Sequence, residues 1–307
     1  MSIPRIRLPA AAHDTASQPT TTRQLDKALR EIGFVGLTDT GMPPELLRRV
    51  FQHTQTFFEQ DATEKARYAY RSASENFGYQ GLQQEHLDPS KPADVKETFT
   101  MRNIERYGGK DPRWPPGGFF QCMSEFHRVA MSIVERLERE LADLLEIPPD
   151  FFSNSHGGEN VSLRLLHYPA VHTTSLQPEQ LGAGAHTDYG LLTLLFQHEV
   201  GGLEVLNQRN EWVSVAYEPN LVVVNSGDLL ERWTNGRYRS TRHRVPPQTG
   251  GRDRYSIALF VDPDSAVEVT PFASCIDAEH PCEYLATTAG AHIQAKITAS
   301  HRGLLDT

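Results

Sequence analysis

Cysteine is scarce. Cys122, Cys275 and Cys282 are the only three in 307 residues, and they stand far apart. So few and so scattered, they cannot frame a disulfide scaffold, and a reducing, cytoplasmic setting is the expectation. Long apolar runs are missing too. No stretch approaches the ~20 residues that span a bilayer. The opening MSIPRIRLPAAAHDT has basic residues but no apolar segment of signal-peptide length. Positive charge is in deficit, with 30 Lys and Arg against 39 Asp and Glu. A net charge of -9 gives no global field that would favour nucleic acid. Arg232, Arg237, Arg239, Arg242 and Arg244 do cluster locally, and read as a solvated strand and turn.

Hydrophobic residues make up 38% of the chain, enough for a full core. Residues 1–115 form a first region. A helix is expected over Thr20–Ile32, where Leu25, Leu29 and Ile32 recur at helical spacing. Gly33 ends it, and Phe34–Leu37 reads as a strand. A second helix begins near Pro43-Pro44, with Leu46, Leu47, Val50, Phe51, Thr54, Phe57 and Phe58 on its apolar face. From Ala73 to Trp114 the chain is polar, carries Gly and Pro and shows no long period, which suggests a mobile cover that orders over bound substrate.

Residues 116–307 follow as a core region that forms one structural unit with the first. It opens with a helix over Phe119–Leu145, expected to back a sheet. Strands are expected at Val161–His167, Leu191–Phe196, Leu203–Leu206, Trp212–Val215, Leu221–Val224, Arg239–Val245 and Tyr255–Val261, most of them separated by turn signals. Short strands at this spacing suggest a sandwich or jelly roll.

Two His-x-Asp triplets occur. His86-Leu87-Asp88 runs into Pro89 in a polar stretch and reads as loop. His186-Thr187-Asp188 precedes an apolar run of strand length, Leu191 to Phe196. On a strand, His186 and Asp188 would share a face and point into one cavity. His243 lies 57 residues beyond His186. Two histidines and a carboxylate are the donor set of a facial-triad Fe(II) site, with coordination positions left open. Eleven residues past His243 comes Arg254-Tyr255-Ser256. Arg254 offers a planar fork that matches a carboxylate, and Ser256 reaches the same side of a strand. Asn225 and Asp228 read as structural turn residues, and Thr193 as packing.

These pieces, in this order, resemble the isopenicillin N synthase-like branch of the Fe(II)/2-oxoglutarate-dependent oxygenases. The matching runs are LRLLHYPA, GAGAHTDYGLLTLL, GGLEV, VVVNSGDLLERWTNGRYRSTRHRV and GRDRYSIALFVDPD, with QLDKALREIGFVGLTDTGMP near the N-terminus. The similarity spans about residues 20 to 290. It implies an α+β fold with a mainly β core, a double-stranded β-helix (a distorted jelly roll) backed by helices. It implies Fe(II) held by His186, Asp188 and His243, and 2-oxoglutarate held by Arg254 and Ser256 with Tyr168 reaching toward it. Leu166 stands where plant members carry asparagine. O2 would be the oxidant of a substrate C–H bond, by hydroxylation, desaturation, cyclisation or epimerisation, with succinate and CO2 released.

Isopenicillin N synthase itself carries the Arg-x-Ser pair without using 2-oxoglutarate, so an oxidase of that kind stays open at this point. So does a catalytically silent metal-binding jelly roll. The expected partner is a small molecule, with neither nucleic acid nor membrane, and a monomer is favoured. Tyr79, Lys96, Phe99 and Phe260 are the residues expected to face the substrate, Phe260 because it shares strand parity with Ser256.

Overall fold

Period-two alternation builds the centre of the molecule. In β12 (Arg254–Val261), Tyr255, Ile257, Leu259 and Val261 are buried on one side, while Arg254, Ser256, Ala258 and Phe260 line a cavity on the other. Its antiparallel neighbours are β5 (Ser162–Tyr168) and β7 (Leu192–His198), with Arg254 opposite Tyr168 and Ser256 between Leu166 and Gln197. The computed structural model describes residues 3–8, 18–104 and 113–301.

The large sheet has eight strands. From edge to edge it runs β1 (Arg5–Arg7), β2 (Phe34–Thr38), β10 (Val222–Ser226), β7, β12, β5, β4 (Glu97–Arg102) and β3 (Phe77–Gln80). A second sheet of four strands, β6 (Ala183–His186), β11 (His243–Val245), β8 (Leu203–Leu206) and β9 (Trp212–Val215), lies across the cavity from it. Two mostly antiparallel sheets facing one cavity make a double-stranded β-helix. A short ladder pairs β13 (Glu268–Val269) with β14 (Thr287–Thr288).

Helices pack around the sheets. They are α1 (Gln18–Glu31), α2 (Pro44–Phe58), α3 (Ala62–Ala66), α4 (Phe119–Leu145), α5 (Phe151–Ser155), α6 (Asp228–Trp233) and α7 (Ala289–His301), and Ile293 and Ile297 of α7 line the cavity. Helix α4 backs the sheet as its apolar stripe requires: Phe126, Ala130, Ile133, Val134, Leu137 and Leu141 are buried, and Phe126 meets Phe196 of β7 edge-on at 4.9 Å. None of the described helices is long and apolar enough to cross a membrane. Gly33 joins α1 to β2 at φ +73, and a Cβ there would stand 2.2 Å from the Arg239 carbonyl oxygen, so only glycine fits.

The structure corrects several expectations. The Ala73–Trp114 segment is not one long cover, because it contains β3 and β4, which are strands of the large sheet. Residues 105–112 of it lie outside the described residues. The strand expected over Arg239–Val245 shrinks to His243–Val245. Before it, the Arg239 carbonyl accepts from the Ser226 hydroxyl, and Thr241 donates to the Ile32 carbonyl, so these residues tie elements together and leave the ladder. In the basic cluster, Arg237 pairs with Asp26 and Arg244 with Glu204, while Arg239 and Arg242 are exposed.

Candidate active site

Strand β6 ends at His186, and Asp188 sits in the turn that follows rather than on the strand. Sequence reasoning missed β6 because its Ala-Gly-Ala run has little strand propensity. Pairing with β11 sets His186 opposite His243, with ring centroids 4.3 Å apart. Asp188 Oδ1 stands 3.7 Å from His186 Nε2 and 3.6 Å from His243 Nε2. One ligand atom from each of the three residues falls within 4.8 Å of the others, the only such cluster that includes a histidine pair among the described residues.

The remaining donors are already used. His186 Nδ1 donates to the Gly184 carbonyl at 2.7 Å, and His243 Nδ1 to the Thr241 carbonyl at 3.1 Å. That leaves both Nε2 lone pairs for a metal. Asp188 Oδ2 accepts from the Thr193 hydroxyl at 2.6 Å and the Asn225 amide at 2.7 Å, which leaves Oδ1 free. Burial, with the neighbouring His243, pushes His186 down to about 3, so its ring is neutral. Burial works to raise Asp188, but the two histidines and its hydrogen bonds outweigh it and hold it below the usual carboxylate range. A neutral His186 imidazole beside an ionised carboxylate fits a divalent cation.

Thr193 and Asn225 therefore do more than pack or shape a turn. Asn225 lies on β10, and its side chain orients the carboxylate. Asp228 supports from the backbone, its N–H donating to the Asp188 carbonyl at 2.8 Å. Groups that orient a metal ligand in this way typically change metal affinity by about 10–100-fold. The double variant Thr193→Val, Asn225→Leu is expected to lose affinity in that range in anaerobic Fe(II) titration, with the fold kept. Unchanged affinity would remove both residues from support of Asp188.

The cavity measures about 570 Å³. Arg254 forms one wall and is 1% exposed. Its Nε donates to the Gly201 carbonyl at 2.9 Å, one Nη to Ser256 Oγ at 3.1 Å, and the other to Gln197 at 3.4 Å. The guanidinium lies 4.7 Å from the Tyr168 ring centre. No carboxylate among the described residues pairs with it. A buried, uncompensated guanidinium is costly, and burial does lower its pKa, so an anionic ligand fits the position.

The four expected substrate residues divide by strand parity. Phe260 and Lys96 line the cavity. Lys96 is buried with its ammonium 2.5 Å from Asp94 and 3.3 Å from Glu85. Phe99 is an error of one position. Lys96 and Thr100 face the cavity, whereas Phe99 packs against Phe57 at 4.8 Å and Phe77 at 5.7 Å in the core. Tyr79 lies opposite Phe99 in the ladder and also turns away, donating to Glu97. Gln80 and Glu85, within the segment expected to cover the substrate, line the cavity, and sequence reasoning missed Arg164 and Asp262, which line it too. Arg164 was legible in principle, since it shares parity with Leu166 and Tyr168 on β5. At the other triplet, His86 contacts the Lys91 carbonyl, and Asp88 accepts from Ser90 at 2.6 Å. His86 and Leu87 of that triplet line the cavity, but neither His86 nor Asp88 joins the donor cluster.

Residues 159–263 match the family model described as the 2OG-Fe(II) oxygenase superfamily. Residues 3–116 match the model described as non-haem dioxygenase in morphine synthesis N-terminal. A homoarginine-6-hydroxylase of Glycine max is 35% identical, covering 80% of this chain and 79% of its own. A proline hydroxylase of Petromyces alliaceus is 31% identical, over 87% of this chain and 89% of its own. The chain belongs to the 2OG-Fe(II) oxygenase superfamily. A full-length Neurospora crassa protein crystallised with alpha-KG (2-oxoglutarate) superimposes on this oxygenase with a TM-score of 0.86 at 29% identity, covering 97% of this chain and 96% of that one. The oxygenase is thus a 2-oxoglutarate-dependent dioxygenase, using Fe(II), 2-oxoglutarate and O2.

One acid in this oxygenase carries a pH signature. Burial, with the nearby Asp188 charge, pushes Asp262 up to about 7. The unfolded chain has the ordinary value of 3.8. A raised carboxyl favours the folded state fully below the unfolded pKa, and that contribution is lost as pH rises through the folded one. In metal-free protein, Asp262→Asn is therefore expected to gain Tm over wild type progressively from pH 4 to pH 8. A constant Tm difference across that range would mean that Asp262 titrates normally.

Proposed function

We propose that this oxygenase hydroxylates a C–H bond of a small polar molecule, with His186, Asp188 and His243 as iron ligands and Arg254, Ser256 and Tyr168 holding 2-oxoglutarate. The observation that carries the reading is the pairing of two features in one cavity. Three free donor atoms converge, and a buried guanidinium without an acid partner stands on the wall beyond them. Fe(II) held by His186, Asp188 and His243 would supply O2 activation, with 2-oxoglutarate as the two-electron reductant, so that one oxygen atom would go to the substrate and the other to succinate with loss of CO2. The chain's own residues do the positioning. Gly184 and Thr241 carbonyls fix the histidine rings, and Thr193 and Asn225 aim Asp188 Oδ1. Arg254 and Ser256 meet the distal carboxylate, and Leu166 and Val245 give the co-substrate an apolar wall.

Hydroxylation is favoured over desaturation or cyclisation by two relatives at 31–35% identity whose names specify hydroxylases. The same reading takes the protein to be a cytoplasmic monomer with no nucleic-acid or membrane partner. The test is a metabolite screen for substrate-stimulated succinate release from 2-oxoglutarate, with each hit analysed by mass. A gain of one oxygen atom supports the proposal. A loss of two hydrogens, with succinate still released, would replace hydroxylation by desaturation or cyclisation.

A further inference from the structure

Charge around the cavity closes at every position but one. Iron's two positive charges and that of Arg254 are matched by Asp188 and the two carboxylates of 2-oxoglutarate. Lys96 and Arg164 are matched by Asp94 and Glu85, with Lys96 contacting both acids and Arg164 bonded to Glu85. Asp262 is left over. It lines the same cavity, just past the end of β12, and its carboxyl makes no hydrogen bond or ion pair with any described residue. The fold leaves room for it there: a Cβ on Gly190 would stand 1.5 Å from Asp262 Oδ1. Arg102 is the cation whose field reaches it, but that guanidinium is held by the Glu159 and Ser74 carbonyls and by Asn160. Phe260, one strand repeat before Asp262, lines the same cavity, as does Tyr70; the ring of Tyr189, also on the wall, already faces Lys296 at 6.0 Å.

An unpaired carboxyl in a cavity with aromatic walls is a receptor for a cation. The carboxylate accepts its N–H hydrogens, and aromatic faces attract its charge. We propose that the prime substrate carries a protonated nitrogen group, an ammonium or a guanidinium, and that Asp262 is the residue that selects it. This inference rests on the oxygenase reading of the same cavity and adds the chemical class of its substrate. Arg164 is a weaker claimant for an anionic group, since Glu85 already neutralises it.

The experiment uses wild type, Asp262→Asn and Asp262→Glu, each loaded anaerobically with Fe(II) and 2-oxoglutarate. The visible charge-transfer band of the chelated keto acid is recorded first. Its absence from wild type would break the oxygenase reading itself, whatever the substrate. Its presence in all three proteins shows that the folded iron site survives the two substitutions. Succinate release is then measured with a panel in which each cationic compound has a neutral isostere, such as L-homoarginine with L-homocitrulline, L-arginine with L-citrulline and L-lysine with 6-hydroxynorleucine. The panel extends to nitrogen-free acids and sugars. In wild type, the stimulating compounds are expected to be the cations. Asp262→Asn is expected to raise their KM by about ten- to a hundredfold, the size of a lost charge-assisted contact, with a smaller effect on kcat. Asp262→Glu should recover part of that loss. Stimulation by neutral or anionic compounds as strong as by their cationic partners would overturn the proposal. So would a KM for the stimulating compound that is the same in Asp262→Asn as in wild type.

Discussion

His243→Ala is expected to reduce 2-oxoglutarate-coupled turnover to background while the protein stays folded. The residue supplies one of three donor atoms that converge within 4.8 Å, and among the described residues no histidine besides it and His186 joins that cluster. Alanine leaves only two protein donors, which is too few to fix the open geometry that a facial-triad site needs. The fold tolerates the change because His243 sits at the end of a three-residue strand whose partners, Val205 and His186, keep their backbone pairing. His186→Ala should behave alike. Asp188→Ala should be worse for stability, because it strands the buried Thr193 and Asn225 donors at about 1–3 kcal/mol each. Circular dichroism and succinate release, measured on the same preparations, check this. Full activity in any of the three with iron still bound would remove that residue from the site. His86→Ala serves as the control for iron binding: its ring lines the cavity but stands outside the donor cluster, so Fe(II) affinity should be nearly unchanged.

The second large effect concerns Arg254. Arg254→Ala should raise the apparent KM for 2-oxoglutarate by about one to two orders of magnitude, the equivalent of roughly 1.5–3 kcal/mol for a charge-assisted contact. Fe(II) affinity should change much less, because Arg254 bonds to Gly201, Ser256 and Gln197 and to none of the three iron ligands. Lysine keeps the charge but loses the fork, so Arg254→Lys should recover only part of the loss. Steady-state kinetics over 2-oxoglutarate concentration, with Fe(II) titration beside them, separate the two effects. Equal losses in both would make Arg254 a general structural residue.

Much of this site was legible because its chemistry is carried by residue types at fixed parity. Arg254, Ser256 and Phe260 could be put on one face from alternation alone, and the cavity does lie on that face. The helix over Phe119–Leu145 was legible to the residue, since its apolar stripe runs unbroken. Parity failed where the strand itself was not recognised. β4 starts at Glu97 inside a polar stretch, so Phe99 was assigned to substrate although it closes the aromatic core beside Phe57 and Phe119. Asp188 was placed on a strand because His-x-Asp suits one, yet the chain turns after His186. The supports of Asp188 were invisible for another reason. Thr193 and Asn225 lie 5 and 37 residues away in sequence and meet the carboxylate only through the pairing of β7 with β10. Asp262 continues the parity of Ser256 and Phe260, but its lack of a partner can be recognised only once every neighbouring charge has been located.

The most direct test of the central assignment is the visible spectrum of the protein with Fe(II) and 2-oxoglutarate under anaerobic conditions. Wild type is expected to show the weak charge-transfer band of a keto acid chelated to iron, saturating with both additions. His243→Ala should show none, and Arg254→Ala should reach the same band only at much higher 2-oxoglutarate. A band of undiminished intensity in His243→Ala, or none in wild type at saturating Fe(II) and 2-oxoglutarate, would contradict it.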